Sequence, residues 1–310
     1  MTIYQNITQF AGKKVVEYQK DSSFDPETQT IRVSVGYDEA EDGITLLSLI
    51  TALSKNSQAS GITHLIIGTW EEAFENTPEE TVSFLTENAE LFPALSCVFF
   101  GEMTSEENEM SWIYQVDYQN FLKSYPKLEH FQARGGNDLK LSELKSEYLK
   151  TLIIETGGMD QYLLQNIIDS ELPNLEYLEL WFGEDSYGWN GSVVQIEKIV
   201  EKYGNQVSYL GLKNSEIEDD IATYLSENSD TWKSVRILDL SMGNLSDKGA
   251  EKLLNCPNVS SLEYLNLEHH YLSDEMMTKF KNLNIKVNLD EQEKVDEYDG
   301  EEYRYISVGE

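Results

Sequence analysis

The chain has 310 residues, 56 of them acidic against 23 basic, giving a formal charge of −33. Nucleic-acid affinity comes mainly from Lys and Arg releasing counterions, so this balance argues against DNA and RNA as partners. Hydrophobic residues at 40% and aromatics at 11% can build a sizeable core, yet no apolar run approaches the roughly 18 residues of a membrane span.

The opening MTIYQNITQFAGKKVVEY lacks the charged-then-apolar order of a secretory signal, so a cytoplasmic location is expected. Residues 1 to 30 are mixed, with β-prone pieces at Thr2 to Ile7 and Val15 to Tyr18. Ile31, Val33 and Val35 alternate like a strand, and ITLLSLITALSKN after Gly43 suits a buried helix. Residues 1–60 are expected to form an N-terminal capping region, because the end of a repeat array would otherwise expose its core.

From Ile62 a six-residue pattern recurs, apolar at positions one, four and six: ITHLII, LSCVFF, LEHFQA, LKTLII, LEYLEL, VSYLGL, VRILDL and LEYLNL. Its anchors, Ile62, Leu95, Leu128, Leu149, Leu175, Val207, Val235 and Leu262, are separated by 33, 33, 21, 26, 32, 28 and 27 residues. These steps lie around the period of leucine-rich repeats, about 20 to 29 residues, with some units stretched. Between anchors lie helical patterns: VSFLTENAELF, WIYQVDYQNFLKSY, DQYLLQNIIDSEL, VVQIEKIVEKY, IEDDIATYLSEN, SDKGAEKLLN and SDEMMTKFKNL. Ser246 and Ser273 stand where N-caps are expected. LSELKSEY, after the anchor Leu128, leaves little room for a helix. The fold class is therefore α/β, a leucine-rich repeat solenoid over residues 61–290 with a curved parallel sheet inside and helices outside. Ile285, Val287 and Leu289 suit a closing strand. Residues 291–310 form an acidic, Tyr-rich C-terminal tail, with Tyr298, Tyr303, Tyr305, Ile306 and Val308 suggesting that it folds back.

Side chains alternate along a strand, so positions three and five of each frame project from the open face of the sheet. An early zone holds Ile66, Phe99 and Ile153. A later one holds Tyr177, Trp181, Tyr209 and Tyr264 beside Glu179, Asp239 and Glu268, with Lys213 and Asn266 among them. Exposed aromatics beside acids suit the grip of a cationic partner, since Tyr and Trp supply large rigid contact area. The loop WFGEDSYGWNGS adds Tyr187 and Trp189 at the rim. On this placement Glu179 and Asp239 are solvated, and replacing either should cost little.

Signatures of nucleotide, hydrolase and zinc chemistry are missing, and no cofactor is expected. His269 and His270 are weak metal candidates, because adjacent residues leaving a strand point apart. His64 and His130 share a strand position two repeats apart, about 10 Å, too far to coordinate one ion. Cys97 and Cys256, about five strands or 25 Å apart, should be free thiols.

The segments TQFAGKKVVEY, YDEAEDG, GEMTSEENEMSWI, RGGNDLKLS, ELWFGEDSYGWNG, GLKNSEI, LEHHYLSDEMM and DEYDGEEYRY resemble, nearly end to end, a family of bacterial cytoplasmic leucine-rich repeat proteins of unassigned function with ribonuclease-inhibitor-like repeats. Members are associated with gene neighbourhoods containing radical-SAM and ATP-grasp modification enzymes, which implies a recognition or scaffold subunit. The expected function is non-catalytic binding of a protein or peptide with a basic patch, by a monomer. The alternative is an accessory subunit of a modification enzyme, or a metal-dependent enzyme built on Glu268, His269 and His270.

Overall fold

The computed structural model describes residues 3–20 and 22–309. Thr2 and Glu310, the ends of the first β-prone piece and of the tail, lie outside them. In chain order the elements are β1 (Gln9–Phe10), β2 (Lys13–Glu17), β3 (Gln29–Val33), α1 (Tyr37–Glu41), α2 (Leu46–Ser54), β4 (His64–Ile67), α3 (Glu79–Glu87), β5 (Cys97–Phe100), α4 (Gln119–Ser124), β6 (His130–Arg134), β7 (Thr151–Glu155), α5 (Gln161–Asp169) and β8 (Tyr177–Gly183). There follow α6 (Val193–Tyr203), β9 (Tyr209–Ser215), α7 (Glu218–Glu227), β10 (Ile237–Asp239), α8 (Asp247–Leu254), β11 (Tyr264–Asn266), α9 (Asp274–Lys281), β12 (Lys286–Asn288), β13 (Asp296–Tyr298) and β14 (Glu301–Tyr303).

Two compact units emerge, a first of residues 3–154 with 169–174 and a second of residues 155–168 with 175–309. In the first, strand order follows chain order from β1 to β7, with β2 through β6 parallel and β1 antiparallel to its neighbour β2. In the second, β8 to β12 are parallel in chain order, and β13 and β14 form a separate antiparallel pair. From β3 to β12 a helix lies between most successive strands, the exception being β6 and β7. This is the α/β leucine-rich repeat fold, a parallel sheet with outer helices.

The anchors set the core. Leu175, Leu178 and Leu180, then Leu210 and Leu212, Leu238 and Leu240, Leu265 and Leu267 are all buried, because each strand turns the same alternate positions inward and the parallel pairing stacks like on like. Seven residues beyond three anchors the chain leaves its strand through a left-handed residue: Asn214, Met242 and His269, with φ of 52°, 71° and 61°. Their amides still continue the ladder, onto the carbonyls of Ser241, Glu268 and Asp290. Ser246 and Ser273 cap α8 and α9 through the amides of Lys248 and Met276. Residues 141–148 form no helix.

Two expectations are corrected. The helix anticipated over WIYQVDYQNFLKSY forms only at Gln119–Ser124, because Tyr114 and Asp117 are drawn into parallel bridges with Asn137 and Lys140. The early face of the sheet is covered over β4 and β5, at Ile66 and Phe99, while Ile153 on β7 stays half-exposed. Ala11 and Gly12 turn the chain with positive φ, and the hairpin carries Phe10 onto Ile66, Cys97 and Phe99, with Ile7 and Val15 at the margin. The Phe10 ring meets the imidazoles of His64 and His130 edge-on, at 6.2 and 4.8 Å between centroids. Below it Glu102, fully buried, accepts from the Ile7 amide and the Arg32 guanidinium. Burying Ile66, Cys97 and Phe99, which would otherwise face water, is the physical reason for the cover.

Candidate functional site

The register of β8 to β12 arranges the second unit's face in rows. Tyr177, Tyr209, Ile237, Tyr264 and Lys286 lie side by side, and next to them Glu179, Gly211, Asp239, Asn266 and Asn288. One residue pair further, Trp181 faces Lys213.

Gly211 is what lets the first row lean over the second. A Cβ there would lie 3.0 Å from both Glu179 Cγ and Tyr209 Cε1, so its absence admits the Tyr209 ring, whose hydroxyl stands 2.9 Å from Glu179 Oε2 and 2.9 Å from Asp239 Oδ2. One phenolic proton thus serves two carboxylates. Glu179 also accepts from the Tyr177 hydroxyl at 2.6 Å, the Trp181 indole at 2.7 Å and the Lys213 ammonium at 3.3 Å. Lys213 lies 4.9 Å over the Trp181 ring and 3.7 Å from Asp239, which in turn accepts from the Ser241 amide.

Burial works to raise the Glu179 pKa, but Lys213 and the three donors hold it below the usual carboxylate value. Burial likewise works against Lys213, and Glu179 with Asp239 keeps it charged. Tyr177 and Tyr209 are pushed well up by burial and by the neighbouring carboxylates, so both stay protonated donors.

Six of the anticipated residues, Tyr177, Glu179, Trp181, Tyr209, Lys213 and Asp239, therefore form one network. Glu179, Trp181 and Asp239 are buried within it rather than solvated, at 7, 8 and 6% exposure. Tyr264, Asn266 and Glu268 stand half-exposed beside it, tied to the last strand: Lys286 sits 4.8 Å over the Tyr264 ring, and Asn288 donates to Glu268. Lys286 and Asn288 escaped the sequence frame because Asn284 stands where an apolar anchor would.

The rim loop divides. Trp189 is turned into the core against Phe182, 5.4 Å between centroids, and no surface is available on it; Gly191 leaves room for its ring. Tyr187 is half-buried, its carbonyl packed against Gly158. His269 and His270 are buried and face main chain, His269 Nδ1 against the Gly243 carbonyl at 3.0 Å and His270 Nε2 against the Leu289 carbonyl at 3.2 Å. His270 Nδ1 accepts the Leu272 amide, which fixes the neutral tautomer. Among the described residues no group of three His, Cys, Asp or Glu is arranged to hold a metal ion, and Cys97 and Cys256 are free and buried. Among the same residues no helix is long and apolar enough to cross a membrane.

Fold and face together define a leucine-rich repeat protein. The chain is similar to a protein of Bacteroides fragilis of known crystal structure, with a TM-score of 0.79 and 29% identity over 85% of this chain and 74% of that one. An internalin of Listeria monocytogenes aligns at a TM-score of 0.40 with 12% identity, over 88% of this chain and 72% of that one, too distant to bear on function. No protein-family model matches the sequence, and no curated protein matches it.

Proposed function

We propose that the chain is a non-catalytic recognition or scaffold module whose second unit binds a protein or peptide partner on its sheet face, and that the partner presents a cationic side chain there. The observation that carries this reading is the charge imbalance of the face: Glu179 and Asp239 share a single lysine and a single tyrosine proton, with Glu268 beside them. A partner's Arg or Lys would find carboxylate and aromatic surface at once, a combination that strengthens both interactions. Tyr264, Asn266 and Glu268 are the half-exposed residues through which the network is reached. A catalytic alternative on His269 and His270 has little support, since Nδ1 of His269 and both ring nitrogens of His270 are engaged by backbone.

The test is retention of a partner from native lysate. The intact protein should hold it in salt-sensitive fashion, and Trp181→Ala with Tyr209→Ala should abolish retention. Because that pair is structural, Asn266→Lys with Glu268→Lys, which leaves the buried network intact, should release the partner as well. A partner still retained by the folded charge-reversed variant would show that the surface is elsewhere.

A further inference from the structure

The segment 304–309 does not continue the repeats. It runs back across them along the loops that follow β11 and β10 and along the end of β9. The Tyr271 hydroxyl donates to the Tyr305 carbonyl and accepts from the Tyr305 amide, at 3.1 and 2.8 Å. The Ser307 amide donates to the Met242 carbonyl at 2.8 Å. The Asn214 carboxamide grips Val308 on both sides, Nδ2 to its carbonyl at 2.5 Å and Oδ1 from its amide at 3.0 Å. Three anchors on three successive repeats thus hold main chain only, and main-chain bonds do not read sequence.

Selectivity is left to the side chains. Ile306 and Val308, two residues apart and therefore on one side of an extended chain, are buried at 8 and 6% exposure. Arg304 lies 3.5 Å from Asp219. Beyond Val308, Gly309 approaches the loop of Glu184 and Tyr187 so closely that a Cβ on it would come within 3.0 Å of Glu184 Oε1.

The tether is of another kind. Among the described residues β13 and β14 pair only with each other, and all six of their residues are exposed. A lone two-stranded hairpin is marginal in water, and this one carries Asp296, Glu297, Glu301 and Glu302 in a chain of charge −33. Lifting segment 304–309 breaks no bond of the parallel sheet.

We propose that the end of β9 at Asn214 and the loops bearing Met242 and Tyr271 form a groove for an extended peptide that presents a cation followed, two and four residues later, by aliphatic side chains, and that segment 304–309 is its resident, displaceable occupant. Asn214 is the central recognition residue: in the left-handed conformation its carboxamide clears its own backbone and offers donor and acceptor to the same residue of the guest. The groove is distinct from the face of Tyr209 and Asp239.

The experiment uses the full chain and a labelled peptide of the sequence Tyr303 to Gly309, followed by fluorescence anisotropy. Ile306→Asp with Val308→Asp should free the groove, and this variant should bind the peptide at least about tenfold more tightly than the unaltered protein. Adding Asn214→Asp, which keeps the left-handed backbone but removes the donor, should weaken binding by a similar factor, whereas Tyr209→Ala should leave it unchanged. In the unaltered protein, excess peptide should speed hydrogen exchange at the Ser307 and Val308 amides and not in β8. The proposal is overturned if the freed, folded variant fails to bind, if Asn214→Asp has no effect, or if the exchange of those two amides ignores the peptide. A dimer formed by exchange of the segment between copies would equally overturn the assignment to a foreign peptide.

Discussion

The ring of Tyr177 lies over that of Tyr209, 3.8 Å between centroids and 7° from parallel, and the hydroxyls of both point at Glu179. The stack is the support on which the buried carboxylate rests. Tyr209→Phe keeps the stack and removes the proton shared with Asp239, leaving two close carboxylates with Lys213 as the nearest cation. A charge-assisted hydrogen bond of this type contributes about 1.5 to 3 kcal/mol, and urea denaturation should show a loss of that order. Tyr177→Phe, which removes a donor to Glu179 but leaves the Tyr209 bond to Asp239, should cost less; equal losses would mean that the bridge to Asp239 contributes nothing.

Glu179→Ala should destabilise by about 3 kcal/mol or more, because Lys213 would lose its nearest carboxylate and keep only the weaker attraction of Asp239 and Glu155. Alternation along the strand had suggested that this carboxylate was solvated and dispensable. It places Glu179 on the outer face correctly, but it carries no information on how far Tyr209 leans across Gly211 to cover it. Leu178→Ala, by contrast, should cost about 2 to 5 kcal/mol on either view.

The core and strand order were legible because they repeat: eight hexapeptides with the same apolar positions leave one way to stack. What was illegible occurs once. Phe10 lies in a stretch with no period, and the only local hint of its hairpin is Ala11-Gly12 between two short β-prone pieces. The anchoring of Val308 on Asn214 joins residues 94 apart in sequence, and although the alternation of Ile306 and Val308 hinted at docking, nothing in it named the place. Trp189 looked like rim and proved to be core because its ring fills the space that Gly191 leaves beside Phe182.

Phe10→Ala should open the first unit's face. The loss of a buried aromatic costs about 3 to 5 kcal/mol, and the Cys97 thiol, raised in pKa by burial, would be uncovered. Ellman's reagent should then titrate one thiol quickly in the native state, while Cys256, 2% exposed behind α7 and α8, stays unreactive. Unchanged reactivity at Cys97 would show that the cover does not depend on Phe10.

Burial lowers His130 to about 4, with the Gln132 contact opposing, and lowers His64 and His270 in the same direction. A histidine whose folded pKa lies below its unfolded value near 6.5 binds fewer protons when folded, so its contribution is complete above about pH 6.5 and declines as pH falls toward the folded pKa. For His130 that window runs from about 6.5 down to about 4. The urea midpoint of His130→Gln should therefore fall less than that of the parent between the two pH values, and parallel curves would contradict the assignment.

Glu218 shows the opposite linkage. The first residue of α7, it is fully buried; Oε2 accepts the Leu245 amide at 3.0 Å, while Oε1 has no partner among the described residues. A Cβ on Gly243 would fall 1.9 Å from Oε2, so the loop closes over the carboxyl and leaves no room for hydration. Burial, with Asp219 and Asp239 adding repulsion, raises its pKa well above the carboxylate norm. The folded protein therefore holds a proton that the unfolded chain has lost, and this group's effect on stability becomes steadily less favourable as pH rises from about 4.5 toward its folded pKa. Glu218→Gln keeps the acceptor for Leu245 and removes the titration. Its gain over the parent should grow between pH 5 and pH 8, and a difference that stays flat across that range would show that Glu218 ionises in place without penalty.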